Sequence, residues 1–252
     1  MPLLKVENIS KIYGTKRGAK QYEALKRISF EVHEGEFIGV MGASGSGKTT
    51  LLNILGSIDR PTNGRFMLDG ADITALNKRQ LAQHRIENIG FIFQDYNLLE
   101  TMTLKENIIL PLALHGCKVQ VMEERLRKLG GDLGILSILD KYPYEVSGGE
   151  QQRAAACRAL ITNPKMILAD EPTGNLDSRS GRALLELLTQ INRTYGTTIL
   201  MVTHDVFAAS YCQKIMFIRD GEIYHELYAG DDKQKFFDSI IDVMSVLGGE
   251  KQ

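Results

Sequence analysis

The chain has 252 residues, 43% of them hydrophobic and 24% charged, with a formal net charge of −1. That length can bury a substantial core as one large domain or two small ones, and the near-neutral balance argues against a global basic field for nucleic acid or an anionic membrane. Three cysteines, Cys117, Cys157 and Cys212, include no CxxC pair, so they read as reduced packing residues and not as a zinc site or disulfide framework.

No apolar signal region follows Met1-Pro2-Leu3-Leu4-Lys5. No stretch approaches the roughly 20 uncharged apolar residues of a bilayer span. The expectation is a cytoplasmic chain, peripheral at the inner face of the cell membrane through a partner.

In chain order, Leu4, Val6 and Ile9, then Ile28, Phe30 and Val32, alternate as strands do. The polar, basic segment 14–20 between them reads as an exposed loop. Phe37 to Met41 is a short apolar strand that runs into a Gly-rich turn, and Thr49 to Ile58 reads as a helix ended near Asp59-Arg60-Pro61. Ile89 to Phe93 is a further strand. From about 95 to 161 helical patterns dominate: Leu104 to Leu114, Val121 to Leu129 and Glu150 to Ile161. Strands return at Met166 to Ala169, Thr198 to Thr203 and Ile215 to Ile218, with a helix at Arg179 to Asn192 and a hairpin signal at Asp220-Gly221. The whole predicts an α/β nucleotide-binding core over residues 1–227 interrupted by a helical subdomain at about 95–161. The tail, 228–252, places Phe237, Ile240, Ile241, Met244 and Leu247 on one helical face. That face either docks on its own domain or contacts a partner.

Gly42-Ala43-Ser44-Gly45-Ser46-Gly47-Lys48-Thr49 fits the phosphate-loop pattern GxxxxGK[ST], with a strand before it and a helix after it. The glycines let backbone N–H groups converge on phosphate oxygens, and the helix N-terminus adds partial positive charge. Lys48 supplies a full charge toward the β- and γ-phosphates, and the Thr49 hydroxyl, followed by Thr50, is placed to ligate Mg²⁺. Far downstream, Met166-Ile167-Leu168-Ala169-Asp170-Glu171 is an apolar strand ending in two carboxylates. Asp170 can hold Mg²⁺ directly or through water, and Glu171 can polarise the attacking water as a general base.

Val146-Ser147-Gly148-Gly149-Glu150 resembles the LSGGQ signature of ABC ATPases, with Val146 for Leu and Glu150 for Gln. Ser147 can cap the helix that follows, and Gly148 and Gly149 leave bare N–H groups for an anion. The resemblance implies a P-loop NTPase core of ABC ATPase type with an inserted helical subdomain and an N-terminal antiparallel β subdomain. It implies a homodimer in which each signature caps ATP held by the other copy's phosphate loop. On the same resemblance, Tyr13 stacks on adenine, Gln94 senses Mg²⁺ and couples the site to the membrane subunit, and Asn175-Leu176-Asp177 crosses the dimer interface. His204 contacts the γ-phosphate.

Two longer stretches, Gly42 to Asn53 and Ala169 to Asp177, resemble the group of macrolide-exporter, lipoprotein-release and cell-division ATPases. Phe91-Ile92-Phe93-Gln94-Asp95-Tyr96-Asn97-Leu98-Leu99 and a tail with Phe236-Phe237 and Val246-Leu247-Gly248-Gly249 are similar to the bacitracin-resistance (Bce-type) ATPases. That implies an FtsX-like transmembrane permease, which a sensor histidine kinase can join, protection against antimicrobial peptides, and no nucleic-acid partner. Segment 95–103 would face the permease, with Tyr96, Leu98 and Leu99 as anchors. A lipoprotein-release or macrolide-export role, and a soluble non-transport ABC ATPase, are the alternatives.

Overall fold

The structure is a computed structural model and describes residues 1–14 and 21–249. Most of the predicted loop 14–20 therefore lies outside the described residues. The chain divides into two compact units, residues 1–82 with 198–252, and residues 83–197.

The first unit begins with β1 (Leu4–Tyr13), β2 (Tyr22–Val32), β3 (Phe37–Met41), α1 (Lys48–Leu55), β4 (Asn63–Leu68) and β5 (Ala71–Asp72). Strand β1 pairs antiparallel with β2 from Leu4↔Val32 to Tyr13↔Tyr22, and with β4 through Leu4↔Leu68. With β5 beside β4 this makes a four-stranded sheet of order β2-β1-β4-β5. Along β1 Leu4, Val6 and Ile9 are buried; the step of three from Val6 to Ile9 crosses an irregularity in the pairing at Asn8, whose φ is 52°. Strands β4 and β5 are too short for alternation to show in the sequence, and β4 begins at an exposed Asn63-Gly64.

Helix α2 (Lys78–Asn88) carries the chain across the boundary between the units. It escaped the sequence reading because it buries Leu81 alone and has no apolar stripe to read. Its Lys, Arg, Gln, Leu, Ala and Glu residues are nonetheless good helix formers.

The second unit continues with β6 (Ile89–Phe93), α3 (Leu104–Leu114), α4 (Val119–Asp132), α5 (Gly148–Leu160), β7 (Met166–Asp170) and α6 (Ser178–Tyr195). Helix α3 starts on a Thr103–Glu106 capping box and tolerates Pro111 in its last turn. Helix α6 buries Leu184, Leu185, Leu188 and Ile191 on one face and stops at Gly196, whose φ of 63° suits a residue without Cβ. Along α5, Ala154, Ala155, Ala156 and Cys157 are fully buried. These small residues let the helix lie directly on β6: a Cβ at Gly90 would stand 2.3 Å from the Ala159 carbonyl oxygen.

The chain then returns to the first unit with β8 (Thr198–Val202), α7 (Val206–Ala209), β9 (Lys214–Arg219), β10 (Glu222–Tyr228) and α8 (Lys233–Gly249). Strand β3 lies between β8 and β9 and is parallel to both, Gly39 facing Met201 on one side and Ile215 on the other. Strands β3 and β8 are buried at every position, so they read as unbroken apolar runs. The predicted hairpin joins β9 to β10, with φ of 49° at Asp220 and 83° at Gly221.

Helix α8 packs on α7 and β10. The predicted stripe needs one correction. Phe236 and Ile240, four residues apart, are the buried pair, whereas Ile241 is 41% exposed. Ile241 lies one position, about 100°, further round the helix than Ile240. Among the described residues no helix is long and apolar enough to cross a membrane.

Candidate functional site

In the first unit the loop from β3 to α1 is shaped by neighbours that leave no room for side chains. At Gly42, φ is 153° and a Cβ would meet the Ile218 carbonyl oxygen at 2.1 Å. At Gly47, which caps α1 with φ of 107°, a Cβ would meet the Ala24 carbonyl oxygen at 2.4 Å. Gly45, with φ of 79°, faces open space. The loop thus depends on glycine for two reasons, close approach at the first two positions and backbone sign at all three.

Lys48 is 8% exposed, and its Nζ donates to the carbonyls of Gly42 at 2.8 Å and Ala43 at 2.9 Å. Its charge therefore lies across the loop. The Ser46 amide donates to Ala43 O at 3.2 Å, and the Gly221 amide donates to Ser46 O at 3.1 Å. Ser46 Oγ is buried and has no hydrogen-bond partner among the described residues. A buried hydroxyl without a partner, in a loop held open by glycines, suits an incoming anion. Ser44 and Thr49 are exposed, and Thr50 is half-buried. Tyr22 joins the loop without a signal in the sequence: its hydroxyl donates to Gly45 O at 2.9 Å, and nothing in a lone tyrosine after a polar stretch marks that contact.

Also in the first unit, the Tyr13 ring is 40% exposed. Its hydroxyl donates to Asp59 Oδ2 at 2.9 Å, and Lys11, itself 2.6 Å from Asp59, stands 4.9 Å from the ring centroid. The ring is thus anchored at its hydroxyl, with Lys11 over it, and stays partly open to solvent. His204 is exposed just beyond β8, where the Thr203 amide donates to Val40 O at 3.1 Å and fixes the strand end.

In the second unit, β6 and β7 run parallel in the register Phe93↔Asp170. Gln94 and Glu171 therefore leave neighbouring strands at the same level. Glu171 has φ of 46°, a left-handed conformation that costs a non-glycine residue of order 1–3 kcal/mol and gathers at functional sites. The Gly174 amide closes the turn on Glu171 O at 2.9 Å. Gln94 Nε2 donates to Asn175 Oδ1 at 3.2 Å, and Asn175 Nδ2 donates to Gln94 O at 3.2 Å and to Asp95 Oδ1 at 2.7 Å. The loops carrying the glutamine and the carboxylates are thus clamped by a reciprocal amide pair.

Ser147 caps α5, as the sequence indicates. Its Oγ accepts from the Glu150 amide at 3.4 Å, and the Glu150 carboxylate accepts from the Ser147 amide at 2.8 Å and hydroxyl at 2.7 Å. The Ser147 hydroxyl and amide hold the Glu150 carboxyl below its ordinary value. Gly148 faces the Tyr96 hydroxyl, which a Cβ would meet at 2.7 Å. Asp177 caps α6, its Oδ1 accepting from the amides of Arg179 at 2.9 Å and Ser180 at 3.0 Å. The Ser180 amide and hydroxyl, with the Arg179 amide, keep its carboxyl low.

These features define an ATPase cassette: a glycine cradle with a lysine across it in one unit, and in the other a carboxylate pair beside a capped, glycine-tipped helix. The ABC transporter family profile matches residues 25–174. The bacitracin export ATP-binding protein BceA of Halalkalibacterium halodurans (strain ATCC BAA-125 / DSM 18197 / FERM 7344 / JCM 9153 / C-125) is 51% identical over 99% of this chain and 98% of its own length. An uncharacterized ABC transporter ATP-binding protein, YvcR of Bacillus subtilis (strain 168), is 51% identical over 99% of this chain and 96% of its own. Among solved structures, the dimeric post-hydrolysis cassette MJ0796 bound to ADP and Pi superimposes with a TM-score of 0.82 at 37% identity, covering 90% of this chain and 99% of that one. The chain belongs to the ABC transporter family, as one of its ATP-hydrolysing cassettes. The family carries with it the expectation of a cassette dimer and a membrane permease.

Proposed function

We propose that the chain powers a membrane permease that protects the cell against antimicrobial peptides of the bacitracin kind, working as a homodimer that closes on two ATP molecules. The observation that carries the ATP chemistry is the glycine cradle, where a Cβ at Gly42 or Gly47 would strike backbone at 2.1 or 2.4 Å and Lys48 lies across the loop. The full-length likeness to the bacitracin export protein supports the permease assignment. An FtsX-like permease, with or without a sensor kinase, and a position at the inner face of the membrane belong to the same reading.

In this reading Tyr13 stacks on adenine. Gly42, Ser44, Gly45, Ser46, Gly47 and Thr50 surround the phosphates, and Lys48 neutralises charge between the β- and γ-phosphates. Thr49, Asp170 and Gln94 offer a hydroxyl, a carboxylate and an amide, the hard oxygen donors that Mg²⁺ takes together with substrate phosphates. When bound there, Mg²⁺ supplies charge neutralisation on the phosphoryl oxygens. Glu171 orients the attacking water and takes its proton, and His204 holds the γ-phosphate. Ser147, Gly148 and Gly149 from the second copy cap the same phosphate, and Asp177 stands in the loop that meets that copy. The helical part at 95–161 and the tail from 228 are then the regions left to contact the permease and the second copy.

Glu171→Gln tests the assignment. It should keep ATP binding, slow hydrolysis by about 10²-fold or more, and accumulate an ATP-bound dimer on gel filtration. Hydrolysis at the parental rate would remove Glu171 from the role of base.

A further inference from the structure

Helix α5 does more than present a glycine tip. Five residues after Ser147 it carries Gln152, which is fully buried. Gln152 Nε2 donates to Phe93 O at 3.3 Å and to Pro172 O at 2.8 Å. Phe93 immediately precedes Gln94, and Pro172 immediately follows Glu171. One buried amide therefore holds the backbone on both proposed catalytic loops to one helix. Its Oε1 has no hydrogen-bond partner among the described residues, so the amide is kept in an apolar place by its donor side alone. Leaving a buried carbonyl unsatisfied is costly, and such a group calls for a reason.

The same helix holds the glutamine loop a second time. Arg158, on α5, donates Nη2 to Tyr96 O at 2.8 Å and Nη1 to Asn97 O, and both of those residues are left-handed, with φ of 59° and 49°. A loop with two consecutive non-glycine residues in that conformation keeps its shape only if its surroundings impose it. Small residues seat α5 against β6, so displacement of the helix carries Gln152 and Arg158 with it.

We infer that Gln152 is a positioning residue that couples the two ATP sites of the dimer. The inference rests on the reading that the α5 tip caps the nucleotide held by the second copy. Gln152 lies about 7.5 Å along the helix from Ser147 at that tip, at 1.5 Å per residue. Seating the tip on the partner's nucleotide sets the position of α5. Gln152 transmits that position to Gln94 and Glu171, which act on the nucleotide of its own chain. Each site then becomes competent only when the other is filled. The device is reciprocal because both copies carry it.

The test uses the full-length dimer and ATP. Gln152→Met keeps length and volume but removes both donors, and Gln152→Asn keeps a buried amide too short to reach both carbonyls. With two sites the parental ATPase should rise with a Hill coefficient well above 1 and toward about 2. Either variant should bring the coefficient to about 1 and lower kcat by about tenfold or more, while binding of a fluorescent ATP analogue to the monomer stays unchanged. A rate loss with the parental Hill coefficient, or parental behaviour in both respects, would overturn the coupling. If Gln152→Met does not fold, Gln152→Asn decides. Glu171→Gln, measured beside them, separates the two ideas: its failure to stop hydrolysis removes the base, whereas its arrest with unaltered Gln152 variants removes only the coupler.

Discussion

Ser147 and Glu150 satisfy one another: the serine oxygen accepts from the glutamate amide, and the carboxylate accepts from the serine amide and hydroxyl at 2.8 and 2.7 Å. A glutamate where related signatures carry glutamine thus completes a capping box at the tip that is proposed to meet a nucleotide. Ser147→Ala should lower stability by about 0.5–2 kcal/mol in urea unfolding, the usual cost of a lost N-cap. It should also weaken the ATP-bound dimer formed by Glu171→Gln. A variant that loses the dimer at unchanged stability would assign Ser147 to nucleotide contact alone.

The same pair sets a pH dependence. Hydrogen bonds from the Ser147 hydroxyl and amide place the folded Glu150 value below its unfolded one. Its contribution is therefore present above the unfolded value of about 4.3 and is lost as pH falls through the lower, folded value. Glu150→Gln keeps an acceptor that does not titrate in this range. That variant should be less stable than the parent at pH 7, its acid limb below about pH 5 should be flatter, and the two profiles should converge as pH falls through the folded value. An identical acid limb in both proteins would remove Glu150 from the balance.

The phosphate loop offers a graded comparison. Gly42→Ala places a Cβ 2.1 Å from the Ile218 carbonyl oxygen, and backbone cannot yield as a side-chain tip can. Gly45→Ala meets nothing within 4 Å and pays only for its φ of 79°, about 1–2 kcal/mol. Gly45→Ala should fold and bind ATP with modest loss, whereas Gly42→Ala should be insoluble or unable to bind. Isothermal titration on both, after thermal unfolding, gives the order, and equal binding by the two would contradict the crowding at Gly42.

How much of this was open to reading depends on the range of each interaction. Phe37–Met41, Ile89–Phe93 and Leu104–Leu114 are legible to the residue because each is apolar and bounded by turn or capping residues. Helix α2 and strands β4 and β5 are not, since KRQLAQHRIEN has no stripe and Asn63–Leu68 is too short to show alternation. The phosphate loop and the Asp170-Glu171 pair are local in sequence, so their residue types give them away. Gln152, Arg158 and Asn175 act across 59, 62 and 81 positions. Nothing in their own neighbourhoods distinguishes them from ordinary helix and turn residues. Only the packing of α5 on β6, and the parallel register of β6 and β7, brings them to the carbonyls and amides they hold.

Thiol chemistry checks the interior. Cys157 and Cys212 are buried, and burial pushes the Cys157 thiol up to about 12 and the Cys212 thiol further in the same direction. Cys117 is only partly covered. Because the thiolate is the reactive form, iodoacetamide at pH 8 should label Cys117 in the folded protein and all three cysteines in urea, as read by intact mass. Fast native labelling of Cys157 would mean that α5 is not packed as described.

The segment after Gln94 carries the last expectation. Its backbone is pinned at two points: Arg158 holds the carbonyls of Tyr96 and Asn97, and the buried Asn107 amide accepts from Leu99 N at 2.7 Å and donates to Leu99 O at 3.0 Å. On this fixed backbone the Leu99 side chain is 45% exposed, while Leu98 is half-buried. An apolar side chain held in solvent by a rigid loop loses little further freedom on binding, which favours it as an anchor. Leu99→Asp is a surface change that should move stability by about 0.5 kcal/mol or less and leave basal ATPase at the parental level. It should abolish activity that depends on the permease, measured as peptide resistance in cells and as ATPase in permease-containing membranes. Leu98→Asp should have the same sign with an added loss of stability from its covered half. Equal loss of basal and permease-dependent activity in Leu99→Asp would place this loop inside the hydrolytic machinery and not at its outlet.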